Sequence, residues 1–100
     1  MGFPESSNVS QHEDLFFIGA GELRLRIVLQ LVQQEETPKS LSEKFNAPFS
    51  QVSRALGELV ERELVMAVDP DKRKERYYVL TDKSKGILLD LKEFLNQNLT

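Results

Sequence analysis

Apolar residues recur at helical spacing along most of this chain, but the first eleven residues show no period. They mix Gly, Pro, Ser and Asn, so we expect a flexible tail over 1–11. The apolar run that follows this tail is expected to break at Gly19 and Gly21, so a short helix or turn is predicted around Phe16–Ile18.

Three helices are predicted next. A broad apolar face indicates the first of them over 22–34. Thr37 is the predicted N-cap of a second, short helix, since Pro38 at its first position has no N–H to leave unpaired. Asn46 to Pro48 should end that helix, and apolar spacing predicts a third helix over 49–62. Two short helices joined by three residues favour a helix-turn-helix.

After Leu64 the pattern changes to two short β-prone runs around a charged turn. Asp69-Pro70-Asp71 is a strong turn signal, so a β-hairpin is predicted over 64–80. Thr81 is the predicted N-cap of a final helix at about 82–98, whose first turn carries Asp82. We expect one domain over 12–100, of the α+β class but mostly α.

Four segments occur in the order and at the spacing of a known family. They are LRLRIVLQL (23–31), SLSEKF (40–45), QVSRALGELVERELV (51–65) and RYYVLTDKSKG (76–86). Together they resemble winged helix-turn-helix transcription regulators of the ArsR and MarR kind. The resemblance spans roughly residues 15–98 and implies three helices, a two-stranded β-hairpin wing and a C-terminal helix.

The resemblance implies that the helix over 49–62 enters the major groove of double-stranded DNA and that the hairpin reaches the neighbouring backbone. The residue types support this, because hydroxyl, amide and guanidinium groups bond to base edges. The base-reading candidates are Ser50, Gln51, Ser53 and Arg54. The candidates for contacts to the DNA backbone are Lys39, Ser40, Lys44, Lys72, Arg73, Lys74 and Arg76. A Ser-rich helix start also fits simple capping, and a basic hairpin tip also fits protection of a strand edge.

The sequence departs from the family pattern in three places. Glu63 stands where many members have a Gly that ends the recognition helix, so that end must be built otherwise or the helix must continue. The Gly after the hairpin comes late, at Gly86. Glu58 and Glu61 on the recognition helix would repel DNA, so contact is expected over its first two turns only.

The last helix carries more large apolar residues than one terminal helix of so small a domain requires. The apolar side of this helix could pack into the monomer core or form a homodimer interface. The resemblance favours the second, in which the terminal helices of two copies pair across a two-fold axis. The predicted interface consists of Leu15, Phe16, Ile18, Ile87, Leu88, Leu91, Phe94 and Leu95.

Composition excludes several classes of function. The chain has no Cys, so disulfides, thiolate nucleophiles and Cys-ligated metal sites are excluded. His12 stands alone, and we expect no metal, no cofactor and no enzymatic activity. No transmembrane segment or signal peptide is predicted, so we expect a cytoplasmic protein without a membrane partner.

Net charge is −3, which argues against DNA as a partner, but the charge is unevenly distributed. Residues 1–36 hold six acidic and two basic groups, whereas residues 37–85 hold ten basic and eight acidic groups. The leading hypothesis is a sequence-specific DNA-binding transcription regulator, most simply a dimeric repressor acting by promoter occupancy. The alternative is a winged helix that binds another protein and no DNA. A small-molecule effector stays open, and no site for one is visible.

Overall fold

Five helices and one antiparallel hairpin follow one another along the described part of the chain. The computed structural model describes residues 5–68 and 76–99, with side chains at 12–68 and 76–98. The elements are α1 (Glu5–Ala20), α2 (Glu22–Gln33), α3 (Pro38–Phe45), α4 (Phe49–Glu61), β1 (Val65–Val68), β2 (Tyr77–Leu80) and α5 (Asp82–Leu99). The order from α2 to α5 confirms the predicted winged helix-turn-helix. Within these residues, no helix has both the length and the apolar character needed to span a membrane.

The N-terminal helix α1 differs from the sequence prediction. It begins at Glu5, inside the stretch expected to be a tail, and residues 1–4 lie outside the described part of the chain. It also continues through Gly19, so only Gly21 breaks the run, as the N-cap of α2. The expected short element at 16–18 is therefore the C-terminal end of a longer helix. Helix α1 packs on α2, and such tertiary packing supports helix where local propensity is weak.

The helix-turn-helix is built by local signals, as predicted. The Thr37 side chain accepts from the Ser40 N–H at 3.0 Å, and the Ser40 side chain accepts from the Thr37 N–H at 3.0 Å. This capping box and Pro38 begin α3. Asn46 ends it with a left-handed conformation, φ 51°, which Asn tolerates better than most residues. The chain then turns directly into α4.

The turn that follows α4 contains a left-handed residue that is not glycine. Glu63 adopts φ 62°, so the family's Gly position keeps its left-handed backbone although the side chain is Glu. The Thr81 hydroxyl donates to the Glu63 carbonyl at 2.7 Å, and Lys83 Nζ donates to the Arg62 carbonyl at 2.9 Å. These bonds from the start of α5 hold the turn between α4 and β1.

The hairpin is short and regular. Strands β1 and β2 are antiparallel, with Val65 opposite Leu80 and Val68 opposite Tyr77. An isolated antiparallel bridge also joins Glu36 to Tyr78, in which each N–H donates to the other's carbonyl. Strand β2 is therefore bonded on both sides and fixes the wing to the link between α2 and α3.

One core holds these elements together. It lies where α2, α3 and α4 cross and continues under the hairpin and the first turns of α5. Its members are Ile18, Ile27, Val28, Leu31, Leu41, Val52, Ala55, Leu56, Leu59, Leu64, Val65, Leu80 and Ile87. From Lys92 to Asn98 every side chain of α5 is exposed, so the outer half of that helix extends beyond the core.

Candidate nucleic-acid interface

Helix α4 has one buried face and one polar face. Val52, Ala55, Leu56 and Leu59 are buried in the core and determine how the helix lies on the domain. The four predicted base-reading residues are exposed along the opposite side of its first turns. They are Ser50, Gln51, Ser53 and Arg54. The structure thus brings together four hydrogen-bonding side chains on one surface held by the core.

The N-terminus of α4 is not capped by a side chain. Its N-cap is Pro48, whose carbonyl accepts from the N–H groups of Gln51 and Val52. Ser50 lies inside the first turn and does not act as a cap, so capping does not explain the Ser at this position. A helix start with free N–H groups and a positive dipole end favours an anion such as phosphate.

The candidates on α3 differ in what their side chains do. Lys39 and Lys44 are exposed beside the start and the end of that helix. Ser40 is not free to donate to a phosphate, which corrects the prediction. Its hydroxyl donates to Glu36 Oε1 at 2.6 Å and lies 2.9 Å from the Thr37 carbonyl, and its N–H donates to Thr37.

Glu36 is a buried carboxylate that the sequence did not single out. Gln30 and Gln34 donate to its Oε2 at 2.7 and 2.8 Å, and Ser40 donates to Oε1. Burial alone would raise the pKa of Glu36, but these hydrogen bonds and the charge of Lys44 outweigh it and hold that pKa below its ordinary value. The carboxylate therefore joins α2 to α3, while the backbone of Glu36 bonds to Tyr78 in the wing.

We expect Glu36→Gln to lower the free energy of unfolding by about 1–2 kcal/mol at pH 7, because the anion accepts three hydrogen bonds. A carboxyl with a lowered pKa stabilises the fold above its unfolded pKa, and the contribution is lost as pH falls through the folded pKa. The difference between variant and wild type should therefore shrink by pH 3 in urea unfolding. Glu35→Gln, at the exposed neighbouring position, is the control. An equal cost for both variants would contradict the role of Glu36.

The basic wing is described only in part. Lys72, Arg73 and Lys74 lie outside the described residues, so their role stays a prediction. Arg76 is exposed directly before β2. Strands β1 and β2 pair with each other, and β1 packs on α4.

A cluster of charged groups links α4 to α1 and α2. Arg24 Nη1 lies 3.1 Å from Glu58 Oε1, and Arg24 Nε donates to the Phe17 carbonyl at 2.9 Å. The guanidinium groups of Arg24 and Arg62 lie 4.0 and 4.1 Å from the Phe17 ring centre. A Cβ at Gly21 would lie 2.8 Å from Arg24 Cζ, so a larger residue there would displace the Arg24 guanidinium. Glu58, expected to repel DNA, is thus paired with a cation.

The predicted dimer residues divide into three groups. Ile18 and Ile87 are buried in the core of the single chain, which corrects their assignment to an interface. Leu15, Leu88 and Leu91 are half-buried, whereas Phe16, Phe94 and Leu95 are exposed. The sequence missed three further exposed apolar side chains, since periodicity could not separate two apolar faces of one helix. They are Leu29 and Val32 on α2 and Leu89 on α5, which line a groove of about 580 Å³ between these helices.

A helix-turn-helix followed by a hairpin bonded on both sides of β2 defines a winged-helix domain. Residues 24–84 match the family described as winged helix DNA-binding domain. The match covers more than half of the chain, and the protein belongs to this family. Among curated proteins, none matches the sequence significantly.

Solved structures agree with the family. The transcriptional regulator HlyU from Vibrio vulnificus is 26% identical, with 88% of this chain and 92% of that chain covered and a TM-score of 0.67. A possible transcriptional regulator for arsenical resistance is 30% identical, with 80% and 82% covered and a TM-score of 0.64. The adhesin competence repressor from Streptococcus pyogenes, at 18% identity, shares the fold over 98% of this chain and 77% of its own, with a TM-score of 0.65.

These similarities identify a winged helix-turn-helix protein of the ArsR and MarR kind, and they support a DNA-binding transcription regulator. Proteins of this kind are regulators, so the expectation that the chain is not an enzyme is confirmed.

Proposed function

We propose that this protein is a sequence-specific dimeric repressor that binds double-stranded DNA through α4 and blocks a promoter by occupying it. The observation that carries the proposal is the polar face of α4, which is exposed while the opposite face is buried in the core. A helix held in this way can enter a major groove without changing its packing.

Base recognition rests on the exposed side chains of the first two turns. Gln51 can pair with the edge of adenine, and Arg54 with the edge of guanine, each through two hydrogen bonds. Ser50 and Ser53 have hydroxyls that donate or accept. This surface has both the functional groups and the rigid support that direct base recognition needs.

Affinity for the DNA backbone comes from groups around that surface. The free N–H groups at the start of α4 favour a phosphate, and Lys39 and Lys44 are exposed on the neighbouring helix. The wing would add Arg76 and its predicted tip of Lys72, Arg73 and Lys74. These contacts position the protein and carry no sequence information themselves.

Dimerisation would use the apolar residues that the core leaves exposed. Phe16 on α1 and Phe94 and Leu95 on α5 present large apolar surface to solvent, as is typical of an interface. Two copies related by a two-fold axis would place their α4 helices about 34 Å apart, one turn of DNA. The expected site is therefore palindromic.

Binding to duplex DNA at two salt concentrations tests this function. The wild type should bind random duplex with an affinity that falls steeply with salt, because bound cations displace counterions from the phosphates. Changing Lys72, Arg73 and Lys74 to Ala should flatten that slope. Arg54→Ala should weaken a site selected from a random pool by about tenfold and random duplex by less.

Lys92→Ala is the control for the loss of one positive charge, since Lys92 lies on the outer half of α5. It should leave the preference for the selected site unchanged. If Arg54→Ala weakens both duplexes equally, Arg54 contacts a phosphate and not a base. Failure to bind any duplex at low salt would refute the proposal and favour the alternative, a protein-binding module, which the net charge of −3 supports.

A further inference from the structure

The two carboxylate oxygens of Glu58 face two different arginines. Oε1 lies 3.1 Å from Nη1 of Arg24, and Oε2 lies 3.9 Å from Nε of Arg54. Arg54 and Glu58 are four residues apart on α4, so they share one side of the helix. Arg24 reaches Glu58 from α2. Glu58 thus stands between a residue of the domain body and a predicted base-reading residue.

The two arginines differ sharply in how firmly they are held. The Arg24 side chain is only 19% exposed, donates from Nε to the Phe17 carbonyl and stacks on the Phe17 ring. The Arg54 side chain is 83% exposed and has Glu58 as its ion-pair partner among the described residues. The well-held Arg24 can therefore fix the Glu58 carboxylate, and that carboxylate can in turn orient the exposed Arg54 side chain.

We propose that Glu58 is a positioning residue that orients the Arg54 guanidinium for a base edge and thereby determines sequence specificity. The inference rests on the proposed function, in which Arg54 contacts DNA. An arginine that is already oriented loses less side-chain entropy when its planar group meets a guanine. Arg24 fixes Glu58, so the carboxylate can orient Arg54 even though the outer pair is exposed.

The charge of Glu58 also has a general effect, which must be separated from the orientation of Arg54. A carboxylate near the DNA surface repels phosphates wherever the protein lands, so it weakens binding to every duplex alike. This repulsion cancels from the ratio of specific to random affinity. Glu58 therefore raises that ratio only by orienting Arg54.

Glu61 provides a matched control on the same helix. It is exposed, three residues beyond Glu58, and has no ion-pair partner among the described residues. Glu61→Gln removes the same charge without touching either arginine. It should strengthen binding to the selected site and to random duplex by the same factor, because only general repulsion changes.

Glu58→Gln should behave differently. We expect it to bind random duplex more tightly, as Glu61→Gln does. The ratio of specific to random affinity should, however, fall about fivefold, because part of the discrimination that a well-placed arginine provides is lost. In an Arg54→Ala background, Glu58→Gln should no longer lower that ratio. Gln has the size of Glu and the Glu58 side chain is 38% exposed, so the fold should survive, which thermal unfolding would verify.

The outcomes separate the two proposals. A wild type that binds no duplex overturns the proposed function, and this inference with it. If the wild type binds selectively, but Glu58→Gln and Glu61→Gln have equal effects on both duplexes, only the role of Glu58 is overturned. The same holds if Glu58→Gln still lowers the ratio when Arg54 is absent.

Discussion

Asp14→Ala is expected to lower the free energy of unfolding by about 2 kcal/mol, or the melting temperature by about 10 °C. The Asp14 side chain is only 6% exposed, and its oxygens lie 3.3 Å from Arg62 Nη1 and 3.3 Å from Lys83 Nζ. Arg62 is the C-cap of α4 and Lys83 lies in the first turn of α5. Removing the carboxylate leaves Arg62 and Lys83 without their anion, while Arg62 and Arg24 still lie together over the Phe17 ring.

The magnitude depends on how well the remaining cations are hydrated. Breaking a fully buried ion pair costs about 3–5 kcal/mol. The Arg62 and Lys83 side chains are both 41% exposed, so water offsets part of that cost and the lower figure is expected. Asp14→Asn, which keeps the shape and removes the charge, should fall between Ala and wild type.

Glu13→Ala supplies the control for Asp14. Glu13 precedes Asp14 on α1 and is exposed, so its loss should change the melting temperature by no more than a degree or two. Thermal unfolding by circular dichroism, repeated at high salt, would measure all three variants. If Asp14→Ala melts together with Glu13→Ala, the carboxylate does not join α1 to the rest of the domain.

The helix-turn-helix could be predicted from the sequence because its signals are local. Thr37 and Pro38 begin α3, Asn46 ends it, and apolar spacing marks the buried face of α4. Each signal acts within a few residues, so it is visible without the fold. The polar face of α4 was predictable for the same reason.

The contacts that depend on distant parts of the chain could not be predicted. Arg24 meets Glu58 across 34 positions, and Arg62 meets Asp14 across 48. From sequence alone, Glu58 was expected to repel DNA, whereas in the fold it lies between two arginines. Ser40 shows the same limitation, because its hydroxyl is used by Glu36, which no local pattern marks.

Helix α5 shows why the sequence could not separate its buried apolar residues from its exposed ones. Ile87 and Phe94 are both large and apolar, and helical spacing cannot tell which of them the core covers. In the fold Ile87 is buried and Phe94 is 59% exposed, because the core ends before the outer turns of the helix. The exposed residues are the ones available to the dimer interface that we propose.

Phe94→Glu is expected to convert the dimer that we propose into a monomer of 11.5 kDa. It should also weaken binding to a palindromic site by about 100-fold or more, since one copy then has only the contacts of one half-site. A charge at an exposed position costs the single chain little, but at the centre of an apolar interface it has to lose its water without a partner. Sedimentation equilibrium and DNA titration would measure the two effects.

Leu29→Glu is the matched control, because it makes the same change at an apolar side chain of similar exposure, 53%, on α2. Phe94 lines a hollow beside Leu15 of α1, whereas Leu29 lines the groove between α2 and α5, which Leu95 also borders. Leu29→Glu should therefore weaken the dimer much less than Phe94→Glu. If it dissociates the dimer while Phe94→Glu does not, the partner lies over the α2–α5 groove. The proposed dimer would be refuted if the wild type is monomeric at all concentrations and binds a palindrome without cooperativity. Two copies would then bind the two half-sites independently through their α4 helices.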